Sequence, residues 1–327
     1  MGCWTAIYNG LHRQPFLLYK AQPWVLSTRL PFTHLLRNVD LDIMEILEIT
    51  SAQNPKLKEV VQLLEKSKVR RERGLFVVEG LREIAACIRN GYKLRSLFFN
   101  SSILSSRQIE EFLISAHQSA AAAGVCQAPE TETALFSLSA PAYSKIAYRE
   151  GTEGVVAVVQ ERRLALEDVK FGKKWANPLV LVVESVEKPG NLGALLRTAD
   201  ACGIDAVIVC DPLTDLYNPN LIRSSLGGVF TNQVVACSNE EALEWLQRND
   251  ITIFTAQLQD SEWYYDTDMV QPSAIVMGTE STGLTDFWRK AAKARIRIPM
   301  LGELDSLNVS VSAAVLCYEA VRQRNMI

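Results

Sequence analysis

The sequence predicts an α/β fold whose C-terminal part is built on a parallel sheet. Two observations support this class: short apolar runs alternate with amphipathic segments along the chain, and several of these runs, such as "LVLVV", are apolar at every position. Strands of this kind are covered by helices on both faces, which is typical of parallel sheets. With 327 residues, 48% of them hydrophobic, the chain can form two domains that each bury a core.

The first 43 residues differ in composition from the rest of the chain. They contain four basic residues and no acidic residue before Asp40, and three prolines interrupt them. A transit peptide fits the charge but not the shortage of serine, and the prolines argue against a secretory signal. A translation start misassigned ahead of Met44 is the third explanation and the one we favour. Residues 1–43 are therefore an extension that is either non-native or a targeting segment.

A smaller α/β domain is predicted over residues 44–160. The apolar residues of "LKEVVQLL" recur with a helical period from Leu57, and "LREIAACIRNG" predicts a second helix that Gly91 ends. Strands are predicted at "LFVVEG", "LRSLFFN" and "GVVAVVQ", with a further helix near residues 106–122. Because helices and strands alternate, this part should form one compact unit.

Residues 161–178 are charged and lack a regular period, and the pair Asn177 and Pro178 interrupts them, so we expect a linker here. The C-terminal domain, residues 179–327, then offers strands at "LVLVVES", "AVIVCD", "ITIFTAQ", "AIVMGTE" and "RIRIPM". Helices are predicted at "GALLRTADACG", at "EEALEWLQRND" and in the closing segment. This alternation predicts the parallel sheet.

Composition excludes several classes of function. A formal net charge of −3 argues against a broadly basic nucleic-acid binder, although a local basic patch is allowed. The seven cysteines form no Cys-x-x-Cys pair and indicate buried thiols in a reducing compartment, with no metal site. No apolar run reaches the roughly 20 residues that a transmembrane helix needs, so we expect a soluble cytoplasmic protein without a membrane partner. All three histidines lie outside the loops described below, so catalysis should not use histidine.

Three loops follow predicted strands of the C-terminal domain, where the ligand crevice of a parallel sheet lies. The first, residues 184–203, combines strand, glycine turn and helix, a layout that presents main-chain N–H groups to an anion. Gly190 and Gly193 are spaced G-x-x-G, which does not match the dinucleotide fingerprint. Asn191 and Arg197 are the polar candidates, with a helix cap and a surface salt bridge as the plain alternatives.

The second loop, "VMGTESTGL", places Gly278 and Gly283 on either side of Glu280, which lets main chain approach a ligand closely. A turn with an exposed glutamate is the commoner alternative. The third loop follows "RIPM", and either Ser306 or Asn308 could cap the helix of small residues that comes next.

Taken together and in this order, the segments "NLGALLRTA", "GTESTGL" and "IPMLGELDSLNV" resemble the three motifs of the SpoU/TrmH family of RNA ribose 2′-O-methyltransferases. The resemblance covers roughly residues 178–325, and "RSSLGGVF" is similar to a further family segment. Residues from Gln53 to Ile84 resemble the ribosomal-protein-like substrate-binding domain of rRNA-directed members.

The resemblance implies a SPOUT catalytic domain with a deep trefoil knot, S-adenosylmethionine as the cofactor, and a homodimer whose active site uses residues of both subunits. It implies catalytic roles for Asn191, Arg197, Glu280, Ser306 and Asn308. The residues that it places against or near the cofactor are Gly278, Thr279, Gly283, Ile298, Pro299, Leu307 and Asn308.

RNA contact is expected from a basic run in the N-terminal domain. Its cations crowd one short span where phosphate contacts would form: Lys66, Lys68, Arg70, Arg71 and Arg73. Two acidic residues, Glu65 and Glu72, moderate the field of this run. A solvated helix end is the plain alternative.

The function predicted from these residues is S-adenosylmethionine-dependent methylation of a ribose 2′-hydroxyl in RNA, in large-subunit rRNA before small-subunit rRNA or tRNA. An NAD-linked oxidoreductase is the rival from another class; the strand-glycine-helix layout and Asp211 favour it, but it leaves the second and third loops unexplained. A non-enzymatic RNA-binding relative would be expected to lack Asn191, Arg197 or Asn308, and all three are present.

Overall fold

The computed structural model describes most of the chain from Glu45 onward. The described residues are 45–125, 133–148, 151–172, 174–279 and 281–325. The predicted extension, residues 1–43, and the predicted catalytic residue Glu280 lie outside them.

The N-terminal part of the described chain, which we call the first lobe, is a mixed five-stranded sheet. Its elements are β1 (Ile46–Ile49), α1 (Pro55–Glu65), α2 (Ser67–Arg73), β2 (Leu75–Glu79), α3 (Leu81–Arg89), β3 (Leu94–Asn100), α4 (Ser106–Ala122), β4 (Ala134–Leu138), α5 (Ala140–Ser144) and β5 (Val155–Gln160). The strand order is β1-β4-β3-β5-β2; β1 and β3 run parallel to β4, and β5 runs antiparallel to β3 and β2. Helices α3 and α4 pack on one face, and α1 and α5 pack on the other.

The C-terminal part, which we call the second lobe, is a seven-stranded sheet. Its elements are β6 (Leu179–Glu184), α6 (Pro189–Cys202), β7 (Ala206–Cys210), α7 (Pro219–Ser225), α8 (Gly228–Thr231), β8 (Val234–Cys237), α9 (Asn239–Arg248), β9 (Thr252–Ala256), β10 (Glu262–Trp263), β11 (Ser273–Met277), α10 (Asp286–Ala291), β12 (Ala294–Arg297) and α11 (Val309–Arg324). The strand order is β10-β12-β9-β11-β6-β7-β8, and every neighbouring pair is parallel. The predicted fold class, α/β with a parallel C-terminal sheet, is confirmed.

Strand order and chain order disagree in the second lobe at β11, which lies between β9 and β6. From β6 the chain proceeds outward to β7 and β8, whereas β9 and β12 lie on the opposite side of β11. A reversal of this kind opens a crevice at the carboxyl ends of the two central strands, where ligands bind in parallel sheets. The crevice of this sheet therefore lies between the loops that follow β6 and β11.

Some elements of the first lobe were not apparent from periodicity. Strands β1 and β4 are short and pair with each other, and neither was predicted. The helix predicted from the segment after Ser51 is two helices, because Lys66 adopts an extended conformation with φ −115° and ψ 106°. Because of this break, the axis of α2 differs in direction from that of α1, and the cationic side chains of α2 are oriented accordingly.

The two lobes share one apolar core. Phe76 and Tyr92 of the first lobe meet Tyr217 and Phe230 of the second inside it. Phe76 stacks on Tyr217 with ring centroids 4.2 Å apart, and Tyr92 packs edge-on against Phe230 at 5.1 Å. Each contact of this kind stabilises the fold by about 0.5–1.5 kcal/mol in addition to the contribution from the apolar area that it buries. We call these four rings the aromatic seam.

The predicted linker, residues 161–178, is also packed against the second lobe. The indole of Trp175 donates a hydrogen bond from Nε1 to the main-chain oxygen of Cys202 at 3.0 Å, and the Phe171 ring lies 5.5 Å from that of Trp245. The chain from Glu45 onward accordingly clusters as a single compact unit. The division into a substrate-binding and a catalytic domain at these boundaries stays a prediction.

A buried ion pair fastens α2 to the second lobe. Arg70, only 4% exposed, donates from Nε to Asp215 Oδ2 at 2.6 Å. Its Nη1 also donates to the main-chain oxygens of Leu63 and Leu64, at 2.6 and 3.1 Å. The sequence placed Arg70 among the RNA-binding cations. The structure instead turns it inward, where a guanidinium has to be paired, and removes it from the surface that RNA could reach.

Replacement Arg70→Met is expected to lower the free energy of unfolding by about 3 kcal/mol, because it leaves the Asp215 carboxylate, which is only 15% exposed, without its cation. Urea unfolding followed by tryptophan fluorescence measures the loss. Arg107→Met is the matched control, since Arg107 pairs with Glu111 on the exposed surface of α4. The control should change the free energy by less than about 0.5 kcal/mol. Equal effects of the two replacements would show that the Arg70 pair does not hold the lobes together.

Candidate active site

The three loops singled out from the sequence emerge at one edge of the second-lobe sheet. Strand β11 pairs in parallel with both β6 and β9, and β12 pairs in parallel with β9. Because the strands are parallel, their carboxyl ends lie at the same edge. The loops that follow β6, β11 and β12 are therefore neighbours, as the sequence predicted for a ligand crevice.

The first loop begins with a sharp change of direction after β6. Ser185 has a positive φ of 50°, and Pro189 then opens α6 in its first turn, where proline is tolerated because the N–H groups there lack helical partners. Asn191 lies half-buried in that turn. Asn308 of the third loop donates from Nδ2 to Asn191 Oδ1 at 3.3 Å. This contact joins two loops that are far apart in the chain.

Arg197 lies further along α6, on its exposed surface. Its Cα is about 9 Å along the helix axis from that of Asn191, from the rise of an α-helix. The guanidinium forms no hydrogen bond or ion pair with any residue that the structure describes. The surface salt bridge considered as its alternative role is therefore absent among the described residues.

The second loop is a tight hairpin that depends on its two glycines. Thr279 N donates to Gly283 O at 3.2 Å, and Gly283 N donates to Thr279 O at 3.1 Å. A Cβ on Gly278 would lie 2.3 Å from the carbonyl carbon of Gly283, and Gly283 itself has a φ of 69°. Thr279 Oγ1 lies 2.8 Å from Thr282 Oγ1 and closes the turn further. Main chain therefore approaches main chain across residues 278–283.

The third loop is half-buried at its start and exposed over residues 301–308. Ile298 and Pro299 pack partly into the protein, whereas Leu307 keeps 39% of its surface exposed. The sequence left open which residue caps α11. Asn308 does so, because its Oδ1 accepts from Ser310 N at 3.0 Å and from Ser310 Oγ at 2.7 Å. Ser306 instead donates its hydroxyl to Asp305 Oδ1 at 3.0 Å.

A buried carboxylate, which sequence reasoning missed, fixes this edge of the sheet. Glu184, the last residue of β6, is 1% exposed. It accepts from Thr285 N at 2.9 Å, from Thr285 Oγ1 at 2.6 Å and from Asn239 Nδ2 at 3.2 Å. The only sequence signal was an acid at the end of an apolar strand. Donors from beyond the second loop and from the start of α9 hold Glu184, so the ends of three strands are tied together.

Asn239 extends the same network. Its Nδ2 also donates to Asp211 Oδ2 at 2.6 Å, and its Oδ1 accepts from Trp288 Nε1 at 2.6 Å. Asp211 was the residue that favoured a dinucleotide in the sequence. Its carboxylate is engaged by the protein's own asparagine.

Helix α7 packs against the start of α6. A Cβ on Gly193 would lie 2.0 Å from Ser224 Oγ and 2.9 Å from the Ser224 main-chain carbon. The Ser224 hydroxyl donates to Pro189 O at 3.2 Å, and the Thr214 hydroxyl donates to Glu187 O. Backbone contact at Gly193 and these hydroxyls fix the turn that carries Asn191.

The thiols of Cys202 and Cys317 are buried. Burial raises the pKa of the Cys202 thiol to about 11, so this group stays protonated at neutral pH. Burial likewise raises the pKa of Cys317 on the neighbouring α11. Within the described ranges no group of His, Cys, Asp or Glu side chains is arranged to hold a metal ion, and no helix is long and apolar enough to cross a membrane.

The loops fit a ligand that combines an apolar ring system with polar groups. Among the described residues, space is open beside the Cα of Gly283: apart from its chain neighbours, no atom lies within 4 Å of an added Cβ, so a ligand could reach this main chain. Ile298 and Leu307 offer apolar surface, and the asparagine pair offers hydrogen-bonding groups. An adenosyl group has this mixture of requirements, because its base needs apolar contact and its ribose needs hydrogen bonds.

The chain matches two family models. Residues 178–318 match the SpoU rRNA Methylase family, and residues 54–157 match the MRM3-like substrate binding domain. The first of these spans all three loops, and the second lies within the first lobe.

Curated and solved proteins agree with these matches. The chain is 27% identical over 281 residues to the 23S rRNA (uridine(2479)-2′-O)-methyltransferase of Streptomyces viridochromogenes, covering 84% of this chain and 92% of that protein. It is 37% identical over 174 residues to the 23S rRNA (guanosine-2′-O-)-methyltransferase RlmB of Bordetella pertussis, covering 53% of this chain and 71% of that protein. The AdoMet-bound rRNA methyltransferase from Sinorhizobium meliloti aligns with a TM-score of 0.72 and 26% identity, over 85% of this chain and 98% of that one. The shared fold is the SPOUT methyltransferase fold and implies the trefoil knot.

Gly278→Ala is expected to weaken binding of S-adenosylmethionine at least about fivefold, because overpacking against main chain costs on the order of 1–3 kcal/mol. Isothermal titration calorimetry on the full chain measures the affinity. Gly302→Ala makes the same chemical change in the third loop, where no atom lies within 4 Å of the new methyl group, and should bind like the wild type. Unchanged affinity of the Gly278 variant would mean that the hairpin does not border the cofactor.

Proposed function

The chain belongs to the SpoU rRNA methylase family, and from this we infer that it is an S-adenosylmethionine-dependent enzyme that methylates a ribose 2′-hydroxyl of rRNA. Large-subunit rRNA is the proposed substrate, because the two curated relatives are named as 23S rRNA methyltransferases. The match of the first lobe to a substrate-binding domain supports an rRNA target. The hydrogen bond between Asn308 and Asn191 carries the proposal, since it brings the first and third loops together beside the hairpin.

The hairpin of residues 278–283 and the start of the third loop are the proposed cofactor site. Bound S-adenosylmethionine supplies a methyl group activated by its sulfonium. Thr279 and the two glycines would hold the cofactor through main-chain groups, and Ile298, Pro299 and Leu307 would pack against its apolar part. Asn308 ends the third loop and donates a hydrogen bond to Asn191 of α6, which suits it to contact cofactor or ribose.

Asn191, Asn308 and Ser306 are proposed to orient the ribose hydroxyl for in-line attack, since positioning supplies much of the rate of such reactions. Ser306 is exposed at the end of the third loop and reaches no partner beyond Asp305 among the described contacts. Glu280 is proposed to support the site on the strength of its motif alone, because it lies outside the described residues.

Arg197 is proposed to stabilise the negative charge that develops on the ribose oxygen and to bind a neighbouring phosphate. A guanidinium does not give up its proton near neutral pH, so it is a poor general base. Fixed positive charge aimed at a developing oxyanion is often a large contribution to catalysis. The exposed, unpaired state of Arg197 in the described chain suits a group that waits for an anionic ligand.

A homodimer is proposed to complete the site. Val311 and Tyr318 are 48% and 51% exposed on α11, seven residues apart and so on one side of the helix. Large apolar side chains on one exposed helix face are typical of an interface. The same helix begins at Asn308, so a partner that covers this face would also approach the active site.

Two further proposals concern the residues that contact RNA and the cellular compartment of the protein. Lys66, Lys68, Arg71 and Arg73 stay as proposed RNA-binding residues of the first lobe after Arg70 is removed. The predicted cytoplasmic location is supported by the free thiols of buried cysteines such as Cys87 and Cys317, which suit a reducing compartment.

Incubation of the full chain with tritiated S-adenosylmethionine and large-subunit rRNA from cells lacking the enzyme tests the proposed reaction. Label should appear in dinucleotides that resist alkali, because a methylated 2′-hydroxyl cannot attack the neighbouring phosphate. Arg197→Lys should lower kcat at least about 100-fold, the usual cost of losing an oxyanion-stabilising group. Arg248→Lys, the same change on the exposed surface of α9, should leave kcat unchanged. Near-full turnover by the Arg197 variant would contradict its proposed role.

Val311→Asp should convert the protein from dimer to monomer in sedimentation velocity, because a buried unpaired carboxylate opposes association. Turnover should fall with the dimer fraction. Ile114→Asp is the control, since Ile114 is a similarly exposed aliphatic residue on α4 of the first lobe. A wild-type chain that sediments as a fully active monomer would refute the proposed dimer.

A further inference from the structure

An arginine-lined cleft lies on the first lobe, at the end of α2. It has a volume of about 590 Å³ and is bordered by the start of β2, the start of β3 and the end of β5. Its cationic side chains are Arg71, Arg73, Arg95 and Arg163, and its acidic ones are Glu72 and Glu161. Four guanidinium groups against two carboxylates give the cleft a positive balance.

Two of these arginines are already paired. Arg73 forms an ion pair with Glu59, and Arg163 donates from Nε to Glu161 Oε1 at 2.9 Å. Arg71 and Arg95 are exposed and form no hydrogen bond or ion pair with any residue in the described ranges. The uncompensated charge of the cleft therefore resides on Arg71 and Arg95.

The cleft shares only Arg71 and Arg73 with the basic run of the sequence. Of that run, Arg70 is buried against Asp215, and Lys68 faces Glu72 at 3.8 Å. Arg95 comes from β3 and is brought beside Arg71 by the packing of α2 against the sheet. The structure thus replaces a linear cluster of cations with a concave one.

The chemistry of the cleft selects an anionic oxygen ligand. A guanidinium presents parallel N–H donors that match two oxygens of one phosphate, which a lysine cannot do. A cleft with several such groups suits a chain of phosphates better than a single ion. The family match over residues 54–157 includes both Arg71 and Arg95, so the cleft belongs to the part of the chain that resembles a substrate-binding domain.

We propose that the Arg71 and Arg95 cleft binds the phosphate backbone of the rRNA substrate at nucleotides outside the one that is methylated. This rests on the proposed function and adds the site where the first lobe holds the RNA. Contacts to phosphates position a nucleic acid without reading its sequence, and their strength falls with salt. The cleft therefore contributes to the affinity for RNA and not to the chemical step.

Fluorescence anisotropy with labelled large-subunit rRNA, at several salt concentrations, measures this contribution. Arg71→Ala and Arg95→Ala should each weaken RNA binding about 5- to 10-fold and reduce the slope of log affinity against log salt by about 1, the effect of one lost phosphate contact. The double variant should lose the product of the two effects. Arg107→Ala removes the same charge from the exposed surface of α4 and should change neither quantity by more than about twofold.

Methyl transfer by the same variants separates the inference from the proposed function. The double variant should raise KM for rRNA while kcat at saturating RNA stays within about twofold of the wild type, as expected for a ground-state contact. If the double variant showed the same affinity and salt slope as the Arg107 variant, the proposed role of the cleft in RNA binding would be wrong. A loss confined to kcat would also contradict it. Failure of the wild type to methylate any rRNA would instead overturn the proposed function, whatever the anisotropy showed.

Discussion

The buried carboxylate of Glu184 is the constraint on which the catalytic edge depends. A carboxylate in this position has lost its hydration and has to be satisfied by donors of the protein. The donors come from Thr285, beyond the second loop, and from Asn239, at the start of α9. They hold the ends of β6, β8 and β11 at fixed distances from one another. The loop that carries Asn191 begins at Glu184 itself, at an edge where the strand ends are tied together.

The relation between the lobes follows from two further contacts. The aromatic seam excludes water over a wide area, and the pair of Arg70 and Asp215 sets the direction of α2 beside it. Thr214, next to Asp215, donates to the main chain just before α6. The helix that lines the arginine-lined cleft and the helix that carries Asn191 are thus attached to one short segment, residues 214–215.

Periodicity and turn residues were enough to predict the fold class, five of the seven strands of the second lobe and the order of the three loops, because these are local properties of the chain. The short strands β8 and β10 were not predicted. The break at Lys66 and the inward direction of the Arg70 side chain depend on the acceptor Asp215, far along the sequence, so no local pattern predicts them. From the sequence, Glu184 could be read only as the last residue of a strand. Its buried network could not be predicted, because its donors, Thr285 and Asn239, lie far away in the chain. The choice of Asn308 over Ser306 as the cap was likewise open, because it depends on α11 beginning at Val309.

The aromatic seam also limits how this architecture can be recombined. Phe76 and Tyr92 belong to the lobe that resembles a binding module, but their partners Tyr217 and Phe230 belong to the second lobe, in the loop before α7 and in α8. A first lobe taken from another protein would have to bring rings that pack against Tyr217 and Phe230. Exchange of substrate recognition, whether by gene fusion or by design, therefore has to carry residues 214–230 along with the first lobe. The segment that has to be exchanged as one piece is therefore larger than the first-lobe sheet.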